Sequence, residues 1–437
     1  MATLRIWGGR PLHGEVDIGG RKNSAVAVIP ASLLASGSSR LENLPNIRDV
    51  NTYKDILRAM GARSEFNGTT LTINANNLKS QAPPVTLCKT MRASYYLLGV
   101  LLGRCGSAEV GLPGGCDIGL RPIDQHIKGL EALGAKIGIE HGVVKARVPA
   151  GRLRGTEIYL DVASVGATIN IMLAAALAEG TTIIENAARE SHVVDVANYI
   201  NAMGGRVVGG GTDVIKIHGA NELRGATHAI IPDEIEAATF MIATAATRGN
   251  VVIKNVVPKH LDSVAAKLKE AGARVEEEED SMRVTCQGRP RGVNVKTLPY
   301  PGFPTDCQQA MTVFLTVAEG TSLVTETIWE GRFKHVDELQ RMGSKITVEG
   351  RTAVIEGVEN LSGARVHATD LRAAAALIVA GLVARGQTQV SGVEHADRGY
   401  DRLDEKLSRL GAAIKRVDDS ETGEIQEGRV VGFRNRE

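Results

Sequence analysis

A short signature recurs along this chain about every seventy residues, and it constrains the fold more than any other feature. LRAMGA carries Gly61, LEALGA Gly134, INAMGG Gly204, LKEAGA Gly272, LQRMGS Gly343 and LSRLGA Gly411. Subtracting those positions gives intervals of 73, 70, 68, 71 and 68 residues. A fixed period over the chain means repeated supersecondary units. Each unit reads alike. An apolar, Ala-rich helix such as ATINIMLAAALAEG ends at a glycine, and a β-branched strand such as TTIIEN follows. An amphipathic helix such as VVDVANYINAMGG then ends at the signature glycine, and two strands lead on. Six such units predict an α/β protein of two three-repeat domains, helices inside and sheets outside, since small side chains let the first helices pack closely. The competing arrangement is one large α/β sheet.

The repeat also marks where function is grafted. Between the two helix-ending glycines, five units run 23–25 residues, but Gly106 to Gly134 spans 28. The excess falls in GLPGGCDIG, part of the stretch GLPGGCDIGLRP at residues 111–122, which displays Cys116 in a Gly- and Pro-rich loop with Arg121 five residues on. A lengthened loop in one copy of a repeat is where binding and catalysis concentrate, and nearby cations favour a reactive thiolate.

Composition narrows the classes. Over 437 residues the formal net charge is +1, so no global field points to nucleic acid or an acidic membrane surface. Five cysteines without paired spacing argue against a disulfide framework and fit a reducing compartment. The first residues, MATLRIWGGRPLHGEV, lack a secretory h-region, and apolar runs such as AAAALIVAGLVA are too short to span a bilayer. A cytoplasmic location is expected, with no membrane partner. The oligomeric state is left open.

Five stretches then carry a resemblance: GRKNSAVAVIPASLLA, LPGGCDIGLRPIDQHIKGLEALGA, SVGATINIMLAAALAEGTTIIENAARE, PYPGFPTDCQQAMT and DRGYDRLDEKLSRLGA. In order and spacing, from Leu4 to about Arg416, they resemble the enolpyruvyl transferases. The resemblance implies two inside-out α/β barrels. The first covers residues 22–230; the second comprises residues 1–21 with 231–437, and the active site lies between them. It implies transfer of the enolpyruvyl group of phosphoenolpyruvate to the 3-hydroxyl of UDP-N-acetylglucosamine, a step of peptidoglycan synthesis, with no cofactor and no metal.

Site residues follow from that resemblance. Cys116 matches the proton donor, a thiol open to phosphonate epoxides such as fosfomycin. Asp306 in FPTD matches the candidate base for the acceptor hydroxyl; by position alone it would be a helix cap. Lys22 and Asn23 in GGRKNS match contacts to phosphoenolpyruvate and acceptor, and Arg398, Arg121 and Arg92 match further anion-binding groups. Asp370 and Arg372 in TDLRAAAA match interface residues, although helix capping also explains Asp370. Pro122, Ile123, Asp124 and Gln125, together with Ser164, Val165 and Gly166, match segments holding uridine and diphosphate, where a helix start suits phosphate. Ile328 matches a contact to the acceptor near Asp306.

Some positions depart from the pattern: Tyr96 for a frequent Trp, RESH at 189–192 for Arg-Glu-Pro-Glu, WEGRF at 329–333 for Glu-Asn-Arg-Phe, and Ala310 for Pro. None removes a catalytic group. Two other readings remain: the same chemistry on a free uridine nucleotide or shikimate 3-phosphate, and a non-catalytic nucleotide-sensing paralogue. The loop cysteine argues against shikimate 3-phosphate; intact Lys22, Cys116, Asp306 and Arg398 argue against the sensor. EEEED at 276–280 is expected to form a solvated hairpin, and the tail after Arg416 to fray.

Overall fold

A computed structural model describes residues 2–112 and 122–418. Cys116 and Arg121 lie outside them. The six signature glycines all adopt positive φ: 95° at Gly61, 98° at Gly134, 94° at Gly204, 101° at Gly272, 89° at Gly343 and 94° at Gly411. A side chain is strained there, which is why glycine recurs. Each closes its helix with the same backbone bond, from the next residue to the carbonyl five back. Ala62 N donates to Leu57 O, Ala135 N to Leu130 O, Gly205 N to Ile200 O, Ala273 N to Leu268 O, Ser344 N to Leu339 O and Ala412 N to Leu407 O. These are Schellman closures. The stop after the first helix varies more: in the fourth unit Arg248 takes the positive φ in place of Gly249. A Cβ at Gly249 would lie 2.2 Å from the Leu12 carbonyl oxygen.

The chain is a mixed α/β fold with six sheets among the described residues, one per unit. The strand after each first helix pairs with the returning arm of a hairpin, as Thr181–Glu185 does with Val214–His218. Arg274–Glu277 and Ser281–Thr285 form the expected acidic hairpin. Five sheets have four strands; that of Ser107–Gly111 has three. Its fourth place is held by the segment through Gln81, whose carbonyl accepts from Glu109 N. Pro83 and Pro84 follow and have no N–H for a ladder.

Two apolar cores form. One draws on residues between Ala25 and Ile230. The other joins Leu4–Ile18 to residues from Ile235 to Ala412. In each, the Ala-rich helices are buried along nearly their whole length. Tyr96–Cys105 packs on Lys22–Ala31 and Val165–Ala175; Gln308–Thr316 packs on Glu234–Ala246 and Leu371–Val383. The strand Ala2–Trp7 lies between Gln387–Ser391 and Ala413–Asp418, antiparallel to both, so the sixth sheet takes its return strand from the other end of the chain. The strand therefore continues past Arg416 to Asp418, and the rest of the tail expected to fray lies outside the described residues.

The chain passes between the cores twice, and the two passages run side by side. Arg21 N donates to Ile231 O at 2.7 Å and Asp233 N to Gly19 O at 2.9 Å. A Cβ at Gly20 would fall 1.7 Å from the Asn43 carbonyl oxygen, so only glycine fits this crossing.

Candidate active site

Lys22 and Asn23 open the helix Lys22–Ala31 directly after the first crossing. The Lys22 backbone N–H is held by Asp233 Oδ2 at 3.0 Å. Its ammonium sits 3.1 Å from Asp49 Oδ2, and Arg398 Nε sits 3.2 Å from Asp49 Oδ1. Asp49 comes from the helix Arg48–Ala59, and Arg398 ends the 3₁₀ segment Val393–Arg398, whose neighbours belong to the other core. Asp49 is 3% exposed. Burial would raise its carboxyl pKa, but Lys22 and Arg398 outweigh burial and hold it below the ordinary value.

A second carboxylate is clamped in the same way. Asp306 lies in the 3₁₀ turn Thr305–Cys307 before Gln308–Thr316. It does not cap that helix. Arg332 NH2 donates to its Oδ1 at 2.8 Å and Arg372 NH2 to its Oδ2 at 2.9 Å. Both arginines are buried, and the Nε of each has no partner among the described residues. Against burial, Arg372 and Arg332 hold Asp306 well below the usual carboxylate range. An anion so stabilised accepts a hydrogen bond well and takes a proton poorly.

Asp370 is a helix cap: its Oδ1 accepts from Arg372 N at 2.9 Å and Ala373 N at 3.0 Å, which fixes the start of Leu371–Val383 and so the place of Arg372. Arg372 also lies over the Tyr400 ring, 5.4 Å from its centroid. Ile328 is tied to the same place through buried Glu326. That carboxylate accepts from Thr305 Oγ1, Thr297 Oγ1, Ile328 N and Trp329 N at 2.8–3.1 Å.

A third group joins the two expected nucleotide segments. Pro122 and Ile123 lead into Asp124–Ala132, and Ser164 caps Val165–Ala175 by accepting from Ala167 N at 3.3 Å. Gln125 donates to Asp124 and Asp161 and accepts from Asp161 N at 2.9 Å, bridging the two helix starts. Gly166 touches the His126 ring so closely that a Cβ would lie 2.8 Å from Nε2. His126 is held by Asn170 at 3.0 Å, and burial, with Arg92 nearby, pushes its pKa down to about 4. Arg92 opens the turn Arg92–Tyr95 beside it.

Asp49, Arg332 and Glu326 were not anticipated. In sequence they are single charges in ordinary polar stretches, and only burial distinguishes them. Among the described residues, no group of three or more His, Cys, Asp or Glu could hold a metal, and no helix is long and apolar enough to cross a membrane. Cys88, Cys105, Cys286 and Cys307 are free thiols, each pushed up in pKa by burial.

Comparison with known proteins is consistent along the chain. The family model for EPSP synthase (3-phosphoshikimate 1-carboxyvinyltransferase) matches residues 6–407. UDP-N-acetylglucosamine 1-carboxyvinyltransferase 3 of Symbiobacterium thermophilum is 55% identical over 95% of this chain and 98% of its own length. UDP-N-acetylglucosamine 1-carboxyvinyltransferase 2 of Bacillus subtilis is 53% identical over 98% of this chain and all of its own. Among solved structures, the enolpyruvyl transferase NikO from Streptomyces tendae superposes with a TM-score of 0.86 at 27% identity, covering 95% of this chain and 98% of that one. On a match from Ile6 to Leu407 and on these relatives, the chain belongs to the enolpyruvyl transferase family that the EPSP synthase model describes.

Proposed function

We propose that this transferase moves the enolpyruvyl group of phosphoenolpyruvate to the 3-hydroxyl of UDP-N-acetylglucosamine and releases phosphate, the first committed step of peptidoglycan synthesis. The observation that carries this reading is the pair of clamped carboxylates: four cations from separate segments meet two anions, buried Asp49 and partly buried Asp306. Such an array suits a substrate that carries both a phosphate and a carboxylate. The names of the relatives supply the acceptor.

In this reading the domains span 22–230 and 1–21 with 231–437, each an inside-out barrel; the separate cores and the buried central helices support it. The site lies at their meeting. Lys22, Asn23, Arg121 and Arg398 bind the phosphate ester. Cys116 gives its proton to the methylene carbon while the acceptor oxygen bonds to the adjacent carbon and its hydroxyl proton passes to a phosphate oxygen; the tetrahedral ketal then returns a methyl proton to the Cys116 thiolate as phosphate leaves. Asp306 accepts a hydrogen bond from the acceptor hydroxyl and orients it, with Ile328 against the sugar; its clamped charge suits orientation better than proton removal. Gln125 and the helix start at Ser164–Gly166 hold the nucleotide. The enzyme works in the cytoplasm on small molecules.

Phosphate release tests the reading. UDP-N-acetylglucosamine should support turnover with phosphoenolpyruvate, and shikimate 3-phosphate should not. Release with shikimate 3-phosphate alone would move the chain to the other branch, and release with neither would leave a nucleotide-binding paralogue.

A further inference from the structure

The helix Ser191–Ala202 begins at the seam between the cores, and its first turn carries a histidine that the reading above does not use. His192 is 5% exposed, and its Nδ1 has no hydrogen-bond partner among the described residues. A buried ring nitrogen without a partner is costly to keep and points to a group that is absent from the free chain. Its surroundings say which kind. Arg21, 4% exposed, reaches the same helix start: its guanidinium contacts Ser191 Oγ and Glu234. Lys22 and Arg21 act on the imidazole as cations, and Asp306 as the anion. Asp306 is already committed to Arg332 and Arg372, while Lys22 pairs with Asp49 and Arg21 with Glu234. Two cations and the N-terminal end of a three-turn helix favour a negatively charged partner. Burial and those cations disfavour an imidazolium, so the ring is neutral and has one N–H to give.

We propose that His192 is a further substrate contact, its Nδ1–H donating to an oxyanion of the three-carbon phosphate ester at the start of Ser191–Ala202, beside Arg21 and Lys22. The inference rests on the proposed function for the identity of that ester. It assigns His192 to the ester and not to the nucleotide, and it explains how a histidine is accommodated in the RESH segment without burying another charge.

The test separates this contact from packing. The amide nitrogen of His192→Asn falls near the place of Nδ1 and keeps a donor; His192→Phe fills the space without one. We expect the Phe variant to raise KM for phosphoenolpyruvate about tenfold or more, as for loss of a hydrogen bond to a charged group, with KM for UDP-N-acetylglucosamine unchanged. Inhibition by inorganic phosphate should weaken in parallel, and the Asn variant should stay within about threefold of wild type. An unchanged KM for phosphoenolpyruvate in a folded Phe variant, or an Asn variant as impaired as Phe, overturns the proposal. Should neither variant fold, a structure of the wild-type chain with phosphoenolpyruvate decides it: an ester oxygen within about 3.2 Å of Nδ1 supports the contact, and any other partner there refutes it. Absence of turnover in the wild type would refute the proposed function instead, a separate outcome.

Discussion

Replacing Asp49 by Asn should weaken the apo protein and sharpen its response to phosphate. The change is nearly isosteric, so packing is preserved and only charge is removed. Asp49 bridges Lys22 at 3.1 Å and Arg398 at 3.2 Å. Breaking a buried pair costs about 3–5 kcal/mol. The two cations keep 14% and 19% of their side-chain surface in water, which screens part of the effect, so about 2–3 kcal/mol is the reasonable range. With an unfolding entropy of about 2.1 cal/mol/K per residue, a chain of 437 residues shifts by about 2–3 °C if it melts as one unit. The sign with pH follows from the lowered carboxyl. Its stabilisation is fully present above the unfolded value of about 3.9 and is lost as pH falls through the lower folded value. The gap between wild type and variant should thus be flat from about pH 5 to 8 and close below about pH 4. Phosphate adds the functional test. A phosphate bound as proposed would share Lys22 and Arg398 with Asp49 in the wild type but not in the variant, so added inorganic phosphate should raise the variant's melting temperature more. Turnover should fall about ten- to hundredfold, because the cations lose their fixed positions. Calorimetry at pH 7 and pH 4, with and without phosphate, measures all of this. Equal melting temperatures at pH 7, or a phosphate gain no larger than that of the wild type, would refute the reasoning.

Arg332→Leu leaves Asp306 with one guanidinium, so burial pulls its carboxyl upward; the acid limb of the kcat profile should appear at higher pH than in the wild type, with a loss of about tenfold or more at pH 7. A phosphonate epoxide should label Cys116 alone, since burial keeps the thiols of Cys88, Cys105, Cys286 and Cys307 protonated; peptide mass mapping checks it, Cys116→Ala should lose turnover, and Cys116→Asp should keep turnover while resisting the reagent. Gly166→Ala places a methyl 2.8 Å from the His126 ring, so titration calorimetry should show weaker UDP-N-acetylglucosamine binding by about 1–3 kcal/mol, the usual cost of overpacking.

Local chemistry explains what could be read in advance. The six glycines were legible because a left-handed helix stop admits few other residues, and their spacing carried the unit count directly. The central helices were legible because a helix buried on every side must be apolar all round. The missing fourth strand beside Ser107–Gly111 was written in Pro83 and Pro84, but only against the other five sheets does the gap show. Asp49 and Arg332 were hidden for the opposite reason. Nothing local separates a clamped carboxylate from a solvated one; the difference lies in partners 349 residues away for Asp49–Arg398 and 26 residues away for Asp306–Arg332. Asp306 drew notice through its motif, yet by position the motif suggested a helix cap, and its oxygens accept instead from Arg332 and Arg372.

The strand Ala2–Trp7 has a consequence for how the molecule comes into being. Its neighbours at Gln387–Ser391 and Ala413–Asp418 are made about 400 residues after it. At roughly 5–20 residues per second on the ribosome, that is a wait of about 20–80 s with two open edges. The segment between Ala25 and Ile230 needs nothing from the late part of the chain to close its own core. A nascent chain stalled near residue 240 should therefore hold one finished core and an unpaired strand, an aggregation hazard that a short segment with Arg5 and an exposed Trp7 does little to blunt. Chaperone demand during synthesis should concentrate on that strand and end when Ala413–Asp418 emerges.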